Sequence, residues 1–296
     1  MGLGLVKMAK TASEGFRIFI DWQVPSVADR EKAASHKVAI QAKLEQKYGL
    51  YRMFQSGSFS HATGVKNFSD VDYIASLQSK QPLLSSSILN SVRDTLQERF
   101  PYTVVRVSRP AVVLEFGGGY ETVEIIPAYP IAAVRDGVMK FQIPGVATEW
   151  LESAPEAHIK YVNDCNKVPV AGKAKSFVRL IKAWKFYMNV PISSFYLEMR
   201  AATYIARQND VIYPYDLSFF FNELLACNLA DMNDPTGTTG RIRACSSEYN
   251  KQLALSRLTT ATGRASNALD AHKNNKTELA FYYWNQLFGG KFPSYN

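Results

Sequence analysis

Two aspartates, Asp70 and Asp72, lie at the start of an apolar run and constrain the fold of this chain more than any other feature. Side chains on a strand alternate between its two faces, so Asp-x-Asp places both carboxylates on one face. Two like charges held together repel each other unless a cation lies between them. Mg²⁺ prefers oxygen ligands and often bridges carboxylates to phosphates. The pair therefore predicts a metal-dependent phosphoryl or nucleotidyl transfer site.

A Gly57-Ser58 turn precedes the two aspartates by a short loop. Glycine allows the backbone to approach a phosphate closely, and the serine hydroxyl and nearby N–H groups can donate to its oxygens. Each motif alone is common in ordinary turns and surface loops, but the two together at this interval indicate a phosphate-transfer site much more specifically. His61 lies between them, and we assign it no catalytic role.

A two-metal site needs a third carboxylate, which is expected on a neighbouring strand. Glu124 is the best candidate because it interrupts the apolar run 123–127, where a charge is costly to bury without a partner. The alternative is that Glu124 points to solvent from a half-exposed strand. Glu115 and Glu121 are rivals on the same predicted hairpin, and we expect both to face water.

The hydrophobic pattern predicts an α+β fold. Helix formers dominate 28–47, a second helix is predicted at 84–99, and strands are predicted at 50–55, 71–77, 104–107, 111–116 and 121–126. Three glycines at 117–119 indicate a hairpin between the last two strands. After Trp150 the pattern becomes helical. We predict a mixed-sheet catalytic lobe with N-terminal helices over 1–150, packed against a helical lobe over 151–296, with the active site in the cleft between them.

The predicted helix 173–188 carries a basic face beside its apolar face, formed by Lys175, Arg179 and Lys182. A triphosphate needs positive charge opposite the metals, although an ordinary solvated face is the alternative. Further along, Ser194 offers a hydroxyl beside the ring of Phe195. That ring could stack on a base, but a core aromatic is the more common explanation.

Composition limits the class of protein. The chain has 296 residues, 47% of them hydrophobic, and a net charge of +8, which suits an anionic ligand. The three cysteines are widely spaced and odd in number, so we expect reduced thiols rather than disulfides or a zinc site. We find no apolar run of membrane-spanning length, and the N-terminal apolar stretch is too short for a secretory signal.

Together the motifs resemble the cGAS/DncV-like nucleotidyltransferases (CD-NTases) of the polymerase-β-like superfamily. The matching segments run from about residue 50 to residue 240 and include Asp234-Pro235 in a later loop. The resemblance implies metal binding by three residues and nucleotide contacts from five: Asp70, Asp72 and Glu124 for the metals, and Gly57, Ser58, Lys182, Ser194 and Phe195 for the nucleotide. Two positions depart from the family pattern: Glu124 replaces the usual Asp, and Phe195 replaces the frequent Tyr.

The resemblance implies an enzyme that condenses nucleoside triphosphates into a cyclic di- or oligonucleotide second messenger and releases pyrophosphate. Two Mg²⁺ ions would be its cofactors, with Mn²⁺ as a substitute, and its setting would be anti-phage (CBASS-type) signalling in the bacterial cytoplasm. A downstream effector would respond to the product without binding the enzyme. Neither nucleic acid nor a membrane is required, and a monomer is favoured.

Two alternatives stay open: transfer of nucleotides to an RNA end or a protein acceptor, and a catalytically silent nucleotide-binding protein. The motifs do not determine base choice, linkage, ring size, the activating signal, or the effect of Glu at the third metal position.

Overall fold

The computed structural model describes residues 8–68, 70–119, 121–133, 137–146, 148–167, 169–170 and 172–296, and over 27–35 it describes only the helical backbone. Contacts group the described chain into two compact units. The sheet unit contains Pro25–Tyr161 and Thr236–Gly240, and the helical unit contains residues 8–24, Val162–Pro235 and Arg241–Asn296.

The elements follow the predicted alternation of helices and strands. In chain order they are β1 (Met8–Ala9), α1 (Ala12–Trp22), α2 (Val27–Tyr48), β2 (Leu50–Ser56), α3 (Gly57–Ser60), β3 (Val71–Leu77), α4 (Ser85–Arg99), β4 (Val104–Ser108), β5 (Ala111–Phe116), β6 (Glu121–Ala133), β7 (Met139–Pro144), β8 (Trp150–Ser153), α5 (Pro155–Cys165), α6 (Lys173–Tyr187), α7 (Ser194–Ile205), α8 (Tyr213–Ala226), β9 (Met232–Asn233), β10 (Arg241–Ile242), α9 (Glu248–Lys273), α10 (Thr277–Leu287) and β11 (Ser294–Tyr295).

Seven strands of the described chain form one mixed sheet, in which five follow the order β2-β3-β6-β5-β4. Strands β3 and β6 are parallel, whereas β2 pairs antiparallel with β3, and β5 pairs antiparallel with both β4 and β6. The later part of β6 extends beyond this region and pairs with β7, which in turn pairs with β8. The predicted hairpin between β5 and β6 is confirmed, and its glycines adopt positive φ angles.

The two faces of the sheet have different chemistry. One face is covered by α2 and α4, and it forms a large core with residues such as Leu89 and Leu96 of α4 against Tyr73 and Ile125 of the sheet. The other face has a smaller apolar cluster of Ile74, Ala128, Phe141 and Ile143. This face also carries Asp72 and Glu124, which alternation along β3 and β6 directs away from the large core, and beside Glu124 it carries the buried Val113 of β5.

The helical unit includes the N-terminal helix because of aromatic packing. Phe16 and Phe19 share one face of α1. The ring centroid of Phe16 lies 4.9 Å from that of Trp284, and the ring centroid of Phe19 lies 4.5 Å from that of Phe288. Strand β1 also pairs with β11 in parallel. The contact groups thus differ from the predicted division in residues 8–24, 151–161 and 236–240.

The predicted α+β class is confirmed by the mixed sheet and the many helices. Cys165, Cys227 and Cys245, all within the described residues, form no disulfide with one another. No helix in the described part of the chain combines the length and apolar character needed to cross a bilayer.

Candidate active site

The parallel pairing of β3 with β6 places two of the predicted carboxylates side by side. Asp72 is the direct register partner of Glu124, and Val71 is the partner of Val123. Register partners on adjacent strands point to the same face, about 4.8 Å apart. Asp70 comes two residues before Asp72, immediately ahead of β3, so the strand period directs it to the same side.

The electrostatics of Glu124 show that the three acids influence one another. Burial raises the pKa of Glu124 above its ordinary value, and the negative charge of Asp70 raises it further. A hydrogen bond with Asp72 and the more distant charge of Arg106 oppose that rise. The charge of Asp70 beside the partly buried Glu124 is a like-charge repulsion that a bound cation would relieve.

The donor set fits magnesium in its chemistry, since Asp70, Asp72 and Glu124 offer carboxylate oxygens on one side of adjacent strands. Within the described ranges, no three His, Cys, Asp or Glu side chains are gathered as a formed metal site. The strand register and the effect of Asp70 and Asp72 on the pKa of Glu124 therefore indicate that the three carboxylates lie together.

Gly57 makes close contact with this cluster. Strand β2 ends at Ser56, the register partner of Asp72, and Gly57 follows with a φ of +62°. A Cβ built on Gly57 would lie 2.7 Å from Cγ of Asp72 and 3.2 Å from its Cβ. Only glycine fits at this position, because any other residue would combine a strained backbone with a steric clash. Ser58 follows in α3, half-buried.

The three later site residues lie in the helical unit. The Lys182 ammonium forms an ion pair with Glu198 at 3.2 Å, and the two side chains are 1% and 4% exposed. Ser194, the first residue of α7, accepts a hydrogen bond of 2.7 Å from Nζ of Lys185. Phe195 follows with an exposed ring. The sequence-predicted site residues thus form two groups. The three carboxylates, Gly57 and Ser58 belong to the sheet unit, and Lys182, Ser194 and Phe195 belong to the helical unit.

Lys185 is a candidate that the sequence analysis missed. It lies three residues after Lys182 on α6, and its contact with Ser194 places a cation beside one of the predicted phosphate ligands. The i, i+3 spacing from Lys182 was the available signal. Positive charge is concentrated nearby: burial lowers the pKa of Lys175, the charge of Arg179 lowers it further, and that of Glu198 opposes both.

The two rival carboxylates have different surroundings. Glu115 forms an ion pair of 2.7 Å with Arg106 and is partly exposed, consistent with the expected position at the surface. The expectation that Glu121 faces water is wrong. Its side chain is only 17% exposed and lies 3.6 Å from His36, because it points to the face of the sheet that α2 covers. It is therefore not available to the carboxylate cluster.

A family model, the Second Messenger Oligonucleotide or Dinucleotide Synthetase domain, matches residues 10–166, more than half of the chain. No curated protein sequence matches the chain.

Solved structures of similar fold come from several bacteria. CdnC of E. coli MS115-1, solved with ATP, is 20% identical with a TM-score of 0.74, and the match covers 94% of this chain and 98% of that chain. Vibrio cholerae DncV, a cyclic AMP-GMP synthase solved with a linear intermediate, is 11% identical with a TM-score of 0.74 over 97% of both chains. Bradyrhizobium diazoefficiens CdnG, solved with GTP, is 16% identical with a TM-score of 0.72 over 93% of both chains.

The predicted resemblance is confirmed by the family match and by the shared fold. The chain belongs to the Second Messenger Oligonucleotide or Dinucleotide Synthetase family, and it shares its fold with solved structures such as that of the CD-NTase CdnG.

Proposed function

We propose that Asp70, Asp72 and Glu124 hold two Mg²⁺ ions and that the chain uses them to join nucleoside triphosphates for anti-phage signalling. The observation that carries the proposal is the register of Asp72 with Glu124, together with the tight approach of Gly57 to Asp72. When bound, the ions would supply Lewis acidity to the attacking hydroxyl and to the phosphates.

The remaining residues bind and orient the donor nucleotide. Gly57 and Ser58 bind its phosphates next to Asp72, Lys185 and Ser194 bind the triphosphate chain, and the Phe195 ring stacks on the base. Lys182, buried and paired with Glu198, holds α6 against α7 and so positions Lys185 and Ser194. A ribose hydroxyl of the acceptor attacks the α-phosphorus, forming a P–O bond. The bond to the β-phosphate oxygen breaks, pyrophosphate leaves, and the hydroxyl proton passes to solvent.

The signalling role rests on the family, whose members make second messengers. Other acceptors, an RNA end or a protein, are the second candidate. Nucleotide binding without turnover is the third, although Asp70 and Asp72 would then carry the cost of an uncompensated like-charge pair.

The test is incubation of the full chain with labelled nucleoside triphosphates and Mg²⁺ or Mn²⁺, followed by separation of phosphatase-resistant products. The test variant combines Asp70→Ala with Asp72→Ala. The control combines Asp94→Ala with Glu98→Ala, two exposed acids of α4 in the same unit. A cyclic product that the test variant loses and the control keeps supports the proposal.

Three other results would contradict it. Extension of added RNA or labelling of protein without a cyclic product would favour the second candidate. Nucleotide binding without turnover would favour the third. A Mg²⁺-dependent rise in melting temperature that persists without Asp70 and Asp72 would show that the metals bind elsewhere.

A further inference from the structure

The sheet face that carries the carboxylates continues to β4. One row of register partners crosses five of the seven strands: Ser56 of β2, Asp72 of β3, Glu124 of β6, the buried Val113 of β5 and Arg106 of β4. Register partners share a face, so Arg106 points to the same side as the acids, two strand spacings or about 10 Å from Glu124. Its charge acts on Glu124, where it opposes the raised pKa.

Arg106 lies beside a carboxylate and an exposed apolar side chain. Its Nε donates to Glu115 at 2.7 Å, and the two side chains are 52% and 30% exposed. Val104, the register partner of Glu115, is 57% exposed on the same face. An aliphatic surface next to a donor and an acceptor suits a flat, apolar ring with a polar edge.

Gly57 and Arg106 lie on opposite sides of the carboxylates along this row, which leaves one side for each of the two nucleotides of the reaction. Gly57 follows β2 on one side of Asp72, and in the proposed function it binds the donor phosphates. Arg106 and Glu115 lie on the other side of Glu124, on β4 and β5. A nucleotide whose ribose hydroxyl reached the metals from that side would be the acceptor, and its base would lie near the partly exposed Arg106 and Glu115.

The charge of this pair favours a nucleobase over a phosphate. Arg106 and Glu115 nearly cancel each other, and the carboxylate repels an anion. A guanine edge presents two N–H donor groups, N1–H and the 2-amino group, that a carboxylate accepts as a pair, and its O6 accepts from a guanidinium. An adenine edge offers one donor group, so it makes fewer of these bonds.

We propose that Arg106 and Glu115 read the base of the acceptor nucleotide and select guanine. This inference rests on the proposed function, because it takes the acceptor to be a nucleotide that attacks over Asp72 and Glu124. A purely structural pair on the sheet surface would predict no effect on base choice.

The experiment measures which base occupies the acceptor position. In the first condensation the acceptor keeps its own triphosphate, so the triphosphate-bearing nucleoside of the early linear dinucleotide identifies it. The full chain receives equal GTP and ATP with Mg²⁺, and mass spectrometry measures the guanine-to-adenine ratio at that position. Inosine triphosphate, which lacks the 2-amino group, replaces GTP in a parallel reaction.

Glu115→Gln and Arg106→Gln are expected to lower the guanine-to-adenine ratio about tenfold each, the typical effect of losing one bidentate base contact. The wild type should use inosine triphosphate about tenfold less well than GTP, and Glu115→Gln should remove most of that difference. The control variants are Lys140→Gln and Glu152→Gln, which break a cross-strand ion pair of 2.8 Å on β7 and β8. They should leave the ratio unchanged.

An unchanged ratio in both test variants would overturn the inference, as would an equal shift in the control variants. The ratio does not depend on the total rate, and a melting curve for each variant identifies one that is misfolded. If the wild type forms no product, the proposed function fails separately. Equilibrium binding then decides: a preference for GTP over ATP that Glu115→Gln removes supports the inference, and equal binding refutes it.

Discussion

Replacing Gly57 with alanine tests the geometry of the carboxylate site most directly. Gly57 has a φ of +62°, and an alanine Cβ there would lie 2.7 Å from Cγ of Asp72. Carbon atoms in contact ordinarily lie about 3.5–4.0 Å apart. The difference, 3.5 minus 2.7 Å, shows that the Asp72 carboxylate or the turn must move by about 0.8 Å or more.

The size of the effect follows from two separate costs. Left-handed backbone in a residue with a Cβ costs about 1–2 kcal/mol, of which the stiffer unfolded chain returns about 0.4–1 kcal/mol. Displacing a catalytic group by about 1 Å lowers the rate about 100-fold, which corresponds to about 2.7 kcal/mol of transition-state energy. Gly57→Ala is thus expected to lose roughly 1 kcal/mol of stability and at least about 100-fold in turnover.

Gly118→Ala is the matched control. Gly118, in the turn between β5 and β6, has a φ of +72°, yet a Cβ built there meets nothing within 4 Å. It shares the backbone strain of Gly57 without the steric clash. The assay compares the initial rate of pyrophosphate release and the denaturation midpoint of both variants with those of the wild type. Both midpoints should fall, that of Gly57→Ala at least as far as that of Gly118→Ala, and only Gly57→Ala should lose turnover.

Two results would contradict this reasoning. If Gly57→Ala kept the wild-type rate, its contact with Asp72 would have no importance for catalysis. If Gly118→Ala lost turnover to the same extent, backbone strain rather than displacement of the carboxylate would explain the loss.

Three further predictions concern named ion pairs and hydrogen bonds. The backbone N–H of Ser85 and its hydroxyl both donate to Glu149, and these bonds lower the pKa of Glu149 below its ordinary 4.5. The stability that they contribute is fully present above pH 4.5 and is lost as the pH falls through the lowered pKa. The denaturation midpoint of Glu149→Gln should therefore fall below that of the wild type at neutral pH and converge with it in acid. Glu198→Gln leaves the buried Lys182 cation unpaired and should cost about 3–5 kcal/mol in chemical denaturation, whereas the double variant with Lys182→Met should regain most of that stability. Lys185→Met should raise the KM for the donor triphosphate about tenfold or more through the loss of a charge-assisted contact, and an unchanged KM would exclude Lys185 from the phosphate site.

The local pattern was sufficient for the secondary structure around the site. Strand β3 has the bounds 71–77 that its apolar run predicts, and the glycines at 117–119 form the expected hairpin turn. The Asp-x-Asp spacing also predicts that Asp70, immediately ahead of β3, and Asp72 lie on one side. These properties depend on residues close in sequence, where strand geometry and glycine conformation act directly.

Long-range contacts decided the rest. The register between β3 and β6 joins residues about fifty positions apart, and it places Glu124 beside Asp72. No local pattern specifies that register, because it depends on how the whole sheet packs against its helices.

A Gly-Ser turn and an acidic pair, spaced by the period of a strand, were sufficient to predict phosphoryl or nucleotidyl transfer. Which residues are neighbours depends on the tertiary structure. It brought Gly57 against Asp72, paired Lys182 with Glu198 and placed Lys185 at Ser194. Pairing of this kind follows from packing across distant segments, where burial and register compete among many partners that a single sequence leaves equivalent.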